Sequence, residues 1–127
     1  MSSLGDEKDA DRIKILVVED EFFIADDLQQ ILTSAGFLVL GPAATNEHTL
    51  DLIEEDRPDV AVLDVNLHGT IVTPVALELQ RLEIPFVLAS AHTADDLRYN
   101  PVLSDAINLG KPTEPSFLLE AVRKMLK

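Results

Sequence analysis

The chain has 127 residues, 23 Asp and Glu against 10 Lys and Arg, a net charge of −13, and neither Cys nor Trp. A chain of this length buries roughly two thirds of its unfolded surface and needs no covalent staple, and the lack of Cys excludes disulfides, thiolate metal sites and a cysteine nucleophile. The acidic balance argues against nucleic acid, whose phosphates need Lys or Arg to displace counterions, and favours a cation or a basic protein surface as partner.

Residues 1–12 (MSSLGDEKDADR) are polar and too poor in apolar side chains to offset their ordering entropy, which predicts a disordered acidic tail before a single domain over 13–127. They contain no apolar stretch of the kind a secretory signal needs. The longest apolar runs, Val60–Leu63 and Ile84–Ala89, fall far short of the ~20 residues that cross a bilayer. The expectation is a cytoplasmic protein with no membrane contact.

From Ile13 onward, short apolar runs alternate with stretches of helical periodicity. Ile13–Val18 reads as a strand. Ile24, Leu28, Ile31, Leu32 and Ala35 then share a helical face that Gly36 is placed to end. Phe37–Leu40 is a second strand, and Leu50 and Ile53 mark a second helix stopped by Pro58. The strand Val60–Val65 and the helix marked by Val75, Leu79 and Leu82, with Pro74 in its first turn, come next. Pro85–Ser90 is the fourth strand. Residues 91–104 are too sparse in apolar spacing for a full helix and read as a short helix plus loop. Ala106–Gly110 is a weaker fifth strand. Phe117, Leu118, Ala121, Val122 and Met125 mark a last helix with Pro115 in its first turn, and Arg123, Lys124 and Lys127 at its end suit the helix dipole. Strand and helix in alternation imply an α/β fold, a five-stranded parallel sheet covered on both faces. Right-handed crossovers make it doubly wound.

In such a sheet, function collects at the carboxyl ends of the strands. Those ends carry Glu19 and Asp20, then Asp64, Ser90 and Lys111. Three carboxylates drawn together repel unless a cation sits among them, and hard oxygen donors without Cys or His suit Mg²⁺. Beside such an ion, Asp64 is a candidate nucleophile toward a phosphoryl group, with Lys111 and Ser90 placed to hold its oxygens.

With VVEDE, LDVN, a small hydroxyl residue after the fourth strand and KP after the fifth in this order, the chain resembles the receiver domain of two-component response regulators over about residues 13–126. The resemblance implies a flavodoxin-like strand order of 2-1-3-4-5. It also implies that Asp64 accepts the phosphoryl group, that Asp20 binds Mg²⁺ directly with Glu19 acting through a metal-bound water, and that Asn66 gives the metal its backbone carbonyl. Ser90 stands where the family has its switch hydroxyl and Lys111 where a lysine bonds the phosphoryl group, followed by a usually cis Lys–Pro bond, here Lys111–Pro112. The partners implied are a sensor histidine kinase and a downstream protein. Since no output domain follows Lys127, the expected output is protein contact, phosphate relay or phosphate buffering, not catalysis on a separate substrate.

The chain departs from the family at Asn108, where most receivers carry Tyr or Phe, so the usual hydroxyl–aromatic switch is absent. A subgroup of alphaproteobacterial type also lacks that aromatic and carries an F-A-T-G-Y-like motif. The stretch Phe86 to His92, with Gly41–Thr45 and Asp64–Gly69, is similar to it. His92, two residues past the switch hydroxyl, is a candidate for tuning phosphoryl lifetime; His48 and His68 have no assigned role.

Plainer accounts exist for each residue: Asp20 or Glu21 as a helix cap, Asp64 as a turn residue, Lys111 as a solvated lysine. Of Phe22 and Phe23, adjacent on the first helix, one is expected to be exposed. Three other functions compete with the phospho-acceptor. A phosphorylation-independent docking module would keep the pocket as a relic. A small Mg²⁺-dependent aspartyl-phosphate phosphatase normally has an Asp two residues after the nucleophile, where this chain has Asn66. A flavodoxin-like cofactor binder would find its phosphate repelled by Glu19–Glu21.

Overall fold

The computed structural model describes residues 12–127, so the expected tail over 1–12 lies, except for Arg12, outside the described residues. Four parallel strands, β1 (Lys14–Val18), β2 (Leu38–Ala43), β3 (Val60–Leu63) and β6 (Phe86–Leu88), form one sheet in the order β2-β1-β3-β6. The helices are α1 (Phe22–Ser34), α2 (Asn46–Glu55), α3 (Thr73–Arg81), α4 (Pro101–Ser104) and α5 (Pro115–Met125).

Because side chains alternate across a strand, β1 feeds two cores. Ile15 and Val17 pack with Val60, Val62 and Val87 against Leu28 and Leu32 of α1 and Leu118 and Val122 of α5. Leu16 and Val18 pack with Ala61, Leu63 and Leu88 against Ile53 of α2, Val75 and Leu79 of α3, and Leu103 of α4. The sheet is thus covered on both faces, as its doubly apolar strands predict.

Local sequence sets the ends of these elements. Gly36, at φ +95°, lets α1 close with Gly36 N–H donating to Thr33 C=O (3.0 Å) and Phe37 N–H to Leu32 C=O (3.1 Å). Gly41 is required by close approach: a Cβ there would lie 2.7 Å from Ala43 N and 2.9 Å from Val17 O. Both Gly41–Pro42 and Lys111–Pro112 are cis.

The structure refines several expectations. The expected fifth strand, Ala106–Gly110, contracts to a single parallel bridge of Asn108 to Leu88 beside β6, so the five expected strands keep the order 2-1-3-4-5. The Asn108 side chain takes the N–H groups of Ser90 and Gly110 and so competes with a regular ladder. Residues 91–104 reduce to turns followed by the one-turn α4. An antiparallel hairpin, β4 (Asn66–Leu67) and β5 (Thr70–Ile71), follows Asp64 without any signal in the apolar pattern. Both Phe22 (73% exposed) and Phe23 (81%) face solvent, their rings edge-on at 5.5 Å, and Phe117 is exposed rather than core.

Candidate functional site

Backbone hydrogen bonds carry the sheet one residue past its strands and fix where the polar groups start. Glu19 N–H donates to Ala43 C=O (2.9 Å), Asp64 N–H to Val18 C=O (2.8 Å) and Ala89 N–H to Leu63 C=O (2.8 Å). Adjacency of β1 and β3 therefore sets Glu19, Asp20 and Asp64 side by side, with one carboxylate oxygen from each within 4.8 Å of the others.

Lys111 enters this cluster from the loop before α5. Its Nζ lies 3.0 Å from Asp64 Oδ2, and 3.1 and 3.3 Å from the two oxygens of Glu19. Asp64 Oδ1 accepts the Val65 N–H (2.8 Å) and Glu19 Oε2 the Glu21 N–H (3.0 Å). Glu19 Oε1 is buried and, although near Lys111, accepts no well-directed hydrogen bond. Burial, above all, and then the nearby Asp64 charge push the Glu19 carboxyl up to about 7, against the Glu21 N–H and Lys111. For Lys111, burial works against the charge, yet its bonds to Asp64 and Glu19 outweigh this and hold the ammonium above its ordinary range.

Asp20 is the least enclosed of the three. Its Oδ2 accepts the His68 N–H (2.8 Å) and lies 3.2 Å from His68 Nδ1. His68 and Gly69, at φ +51° and +86°, form the two-residue turn between β4 and β5, and Asn66 Oδ1 accepts the Gly69 N–H (2.6 Å) across it. The Asn66 side chain is thus spent on the turn. Sequence reasoning missed His68; the His-Gly pair between short β-forming runs was the available signal.

Ser90 is buried at the end of β6. Its Oγ lies 3.0 Å from His92 Nδ1 and accepts the His92 N–H at 3.0 Å. Asp20, Asp64, Asn66, His68, Ser90, His92 and Lys111 line one cavity of about 290 Å³, so the residues singled out from sequence come together, with Glu19 in the wall behind them. Helix capping does not account for the acidic run, because α1 starts after Glu21 with no side-chain cap.

The donor set fits a hard divalent cation. It offers three carboxylates in reach of one point, one with a buried oxygen lacking a directed partner.

A family model described as the response regulator receiver domain matches residues 15–123. The chemotaxis protein CheY of Thermotoga maritima is 25% identical, the match covering 90% of this chain and 98% of that protein. The positive alginate biosynthesis regulatory protein of Pseudomonas aeruginosa is 30% identical over 88% of this chain but only 46% of its own length. Among solved structures, SdrG from Pseudomonas melonis Fr1, in a BeF3-activated conformation, superposes with a TM-score of 0.74 at 34% identity, covering 90% of this chain and 96% of that one.

Proposed function

Because the chain belongs to the response regulator receiver domain family of two-component signalling, we propose that it accepts a phosphoryl group on Asp64 from a sensor histidine kinase in a Mg²⁺-dependent reaction. The observation that carries this reading is Lys111 Nζ at 3.0 Å from Asp64 Oδ2, with Glu19 and Asp20 grouped around the same carboxylate. In the step proposed, an Asp64 oxygen forms a bond to phosphorus as the bond from phosphorus to the donor's imidazole nitrogen breaks, and the electron pair leaves with that nitrogen. Lys111, already bonded to Asp64, and Ser90, once its hydroxyl turns from His92, each hold a phosphoryl oxygen where charge collects.

Glu19, Asp20, Asp64 and the Asn66 carbonyl would hold the Mg²⁺, which supplies neutralising charge to the entering phosphoryl group. Glu19, buried behind the other two carboxylates, would complete the acidic set. Output passes to a partner protein by contact; among the described residues no helix is long and apolar enough to cross a membrane, and a kinase donor points to the cytoplasm.

Support for a phosphoryl mimic comes from SdrG, whose solved conformation is BeF3-activated. The test is incubation with acetyl phosphate and Mg²⁺, read by intact mass. One phosphoryl adduct is expected in the wild type and none in Asp64→Asn or with chelator; an adduct that survives Asp64→Asn overturns the assignment. Asn108, in place of the family's usual aromatic, favours as second reading a docking module that works without phosphate. Failure of both acetyl phosphate and beryllofluoride to load the wild type would put that reading first.

A further inference from the structure

Among the described residues, Asn108 is half of the one bridge that joins the 106–110 segment to the sheet. Two backbone bonds make that bridge, Leu88 N–H to Ile107 C=O and Leu109 N–H to Leu88 C=O, both 2.8 Å. The Asn108 side chain adds two more to the loop after β6 and one within its own segment. Its Oδ1 accepts the Ser90 N–H (3.1 Å) and the Gly110 N–H (3.0 Å), and its Nδ2 donates to the His92 carbonyl (2.7 Å). One acceptor position and one donor of the amide tie the loop after β6 to this edge, and the second acceptor position holds the turn at Gly110.

The same loop holds the hydroxyl that the phosphoryl reading needs. Ser90 Oγ faces His92, accepting its N–H and meeting its Nδ1. Whichever tautomer His92 holds, turning Ser90 Oγ toward a phosphoryl oxygen breaks its 3.0 Å contact with His92 Nδ1. Any rotation that carries Oγ toward Asp64 also stretches the His92 N–H bond. Both residues so disturbed, Ser90 and His92, are the residues whose backbone Asn108 grips.

We propose that Asn108 couples the phosphoryl site to the sheet edge: its amide clasps Ser90 and His92 to residues 107–110, so that release of the Ser90 hydroxyl from His92 is carried to that edge through hydrogen bonds. This deepens the phospho-acceptor reading and rests on it. The relay ends beside Ile107, which is largely exposed, so a shift of the edge alters a surface that a partner can feel. A rotating buried ring is not needed for it.

The experiment is a titration of wild type, Asn108→Ala and Asn108→Asp with beryllofluoride and Mg²⁺, followed by amide ¹H–¹⁵N spectra. In the wild type, the amides of Ser90, Ala91 and His92 and those of Ile107, Leu109 and Gly110 are expected to shift with a shared midpoint. Asn108→Ala should still load and still shift residues 90–92, with the response at 107–110 lost. Asn108→Asp keeps the acceptor for Ser90 and Gly110 but sets a second oxygen against the His92 carbonyl, so residue 90 should remain coupled to 107–110 and residue 92 should not. That split is a signature that loosened folding does not produce. If Asn108→Ala transmits to 107–110 as the wild type does, the relay is overturned. If the wild type loads and residues 90–92 stay still, it is overturned as well. A wild type that does not load at all overturns the phospho-acceptor reading instead.

Discussion

The two ends of the site are built in different ways. Around Asp64 the carboxylates sit on strands paired on both sides: β1 matches β2 and β3 over several residues, and Ile15 to Val18 and Val60 to Leu63 are essentially inaccessible to solvent. Around Asn108 the sheet thins to one bridge, α4 is a single turn, and much of the attachment is made by one amide side chain. A reactive centre needs fixed geometry, whereas an element that reports on it needs a low cost of movement. The ladder provides the first and the side-chain clasp the second.

The largest contrast should appear in stability. Leu63→Ala, at a position with no exposure in the strand that delivers Asp64, is expected to cost about 2–5 kcal/mol. Ile107→Ala, at 67% exposure, should stay within about 0.5 kcal/mol. Urea unfolding of the two variants checks this, and amide exchange should find Val62 and Leu63 among the slowest sites and Leu109 well above them. Equal protection at both edges would remove the distinction between a rigid and a compliant half.

Lys111 sharpens the electrostatics of the rigid half. In the metal-free protein it is the cation that faces Asp64 and Glu19, and removing one partner of a buried ion pair costs about 3–5 kcal/mol when the other cannot neutralise. Glu19 can neutralise, since its carboxyl already sits at about 7, so Lys111→Met should lose less than that range. Thermal unfolding with and without Mg²⁺ should show a larger gain from the ion in this variant than in the wild type, because the ion no longer competes with an ammonium.

Glu19 gives a pH signature of known sign. Its carboxyl rises from the ordinary 4.5 to about 7 on folding, so the native state binds more protons than the unfolded one between those values and stability falls as pH rises through them. The contribution is complete below 4.5 and gone above 7. Metal-free Glu19→Gln should flatten the slope of stability between pH 4.5 and about 7. Mg²⁺, which needs the ionised group, should bind the wild type more tightly as pH rises over the same interval. A slope unchanged by the substitution would locate the titrating group elsewhere.

Much of this was legible in the sequence, and for a physical reason. The strands that carry Glu19, Asp20 and Asp64 are apolar on both faces, and a parallel sheet aligns their carboxyl ends, so the cluster follows from the pattern alone. Gly36 announced the end of α1 through its backbone freedom. What stayed hidden depends on side-chain hydrogen bonds, which leave no periodicity. The hairpin after Asp64 turns on Asn66, His68 and Gly69, and the fifth strand contracts because Asn108 takes N–H groups a ladder would use. At the start of α1, helical spacing allowed one of Phe22 and Phe23 to face inward, but the chain is still leaving the sheet there and both rings clear the core.

The smallest expected effect concerns His92. Its Nδ1 and N–H both meet Ser90 Oγ, so in the unphosphorylated state the hydroxyl is occupied, and His92→Ala removes the ring's share of that competition while the backbone N–H remains. A single neutral hydrogen bond is worth about 0.5–1.5 kcal/mol, which on an aspartyl-phosphate lifetime is a change of roughly two- to tenfold, with almost none in unfolding temperature. The direction separates two roles. If the ring mainly holds Ser90 away from the phosphoryl group, the variant frees the hydroxyl and the phosphoryl group lasts longer. If it mainly shields the cavity that it lines with Asp64, water enters and the lifetime shortens. The contact with Ser90 is the one the structure makes, so the longer lifetime is expected, measured as decay of the intact-mass adduct after removal of acetyl phosphate. A lifetime equal to the wild type's would leave the His92 ring without a part in the phosphoryl chemistry.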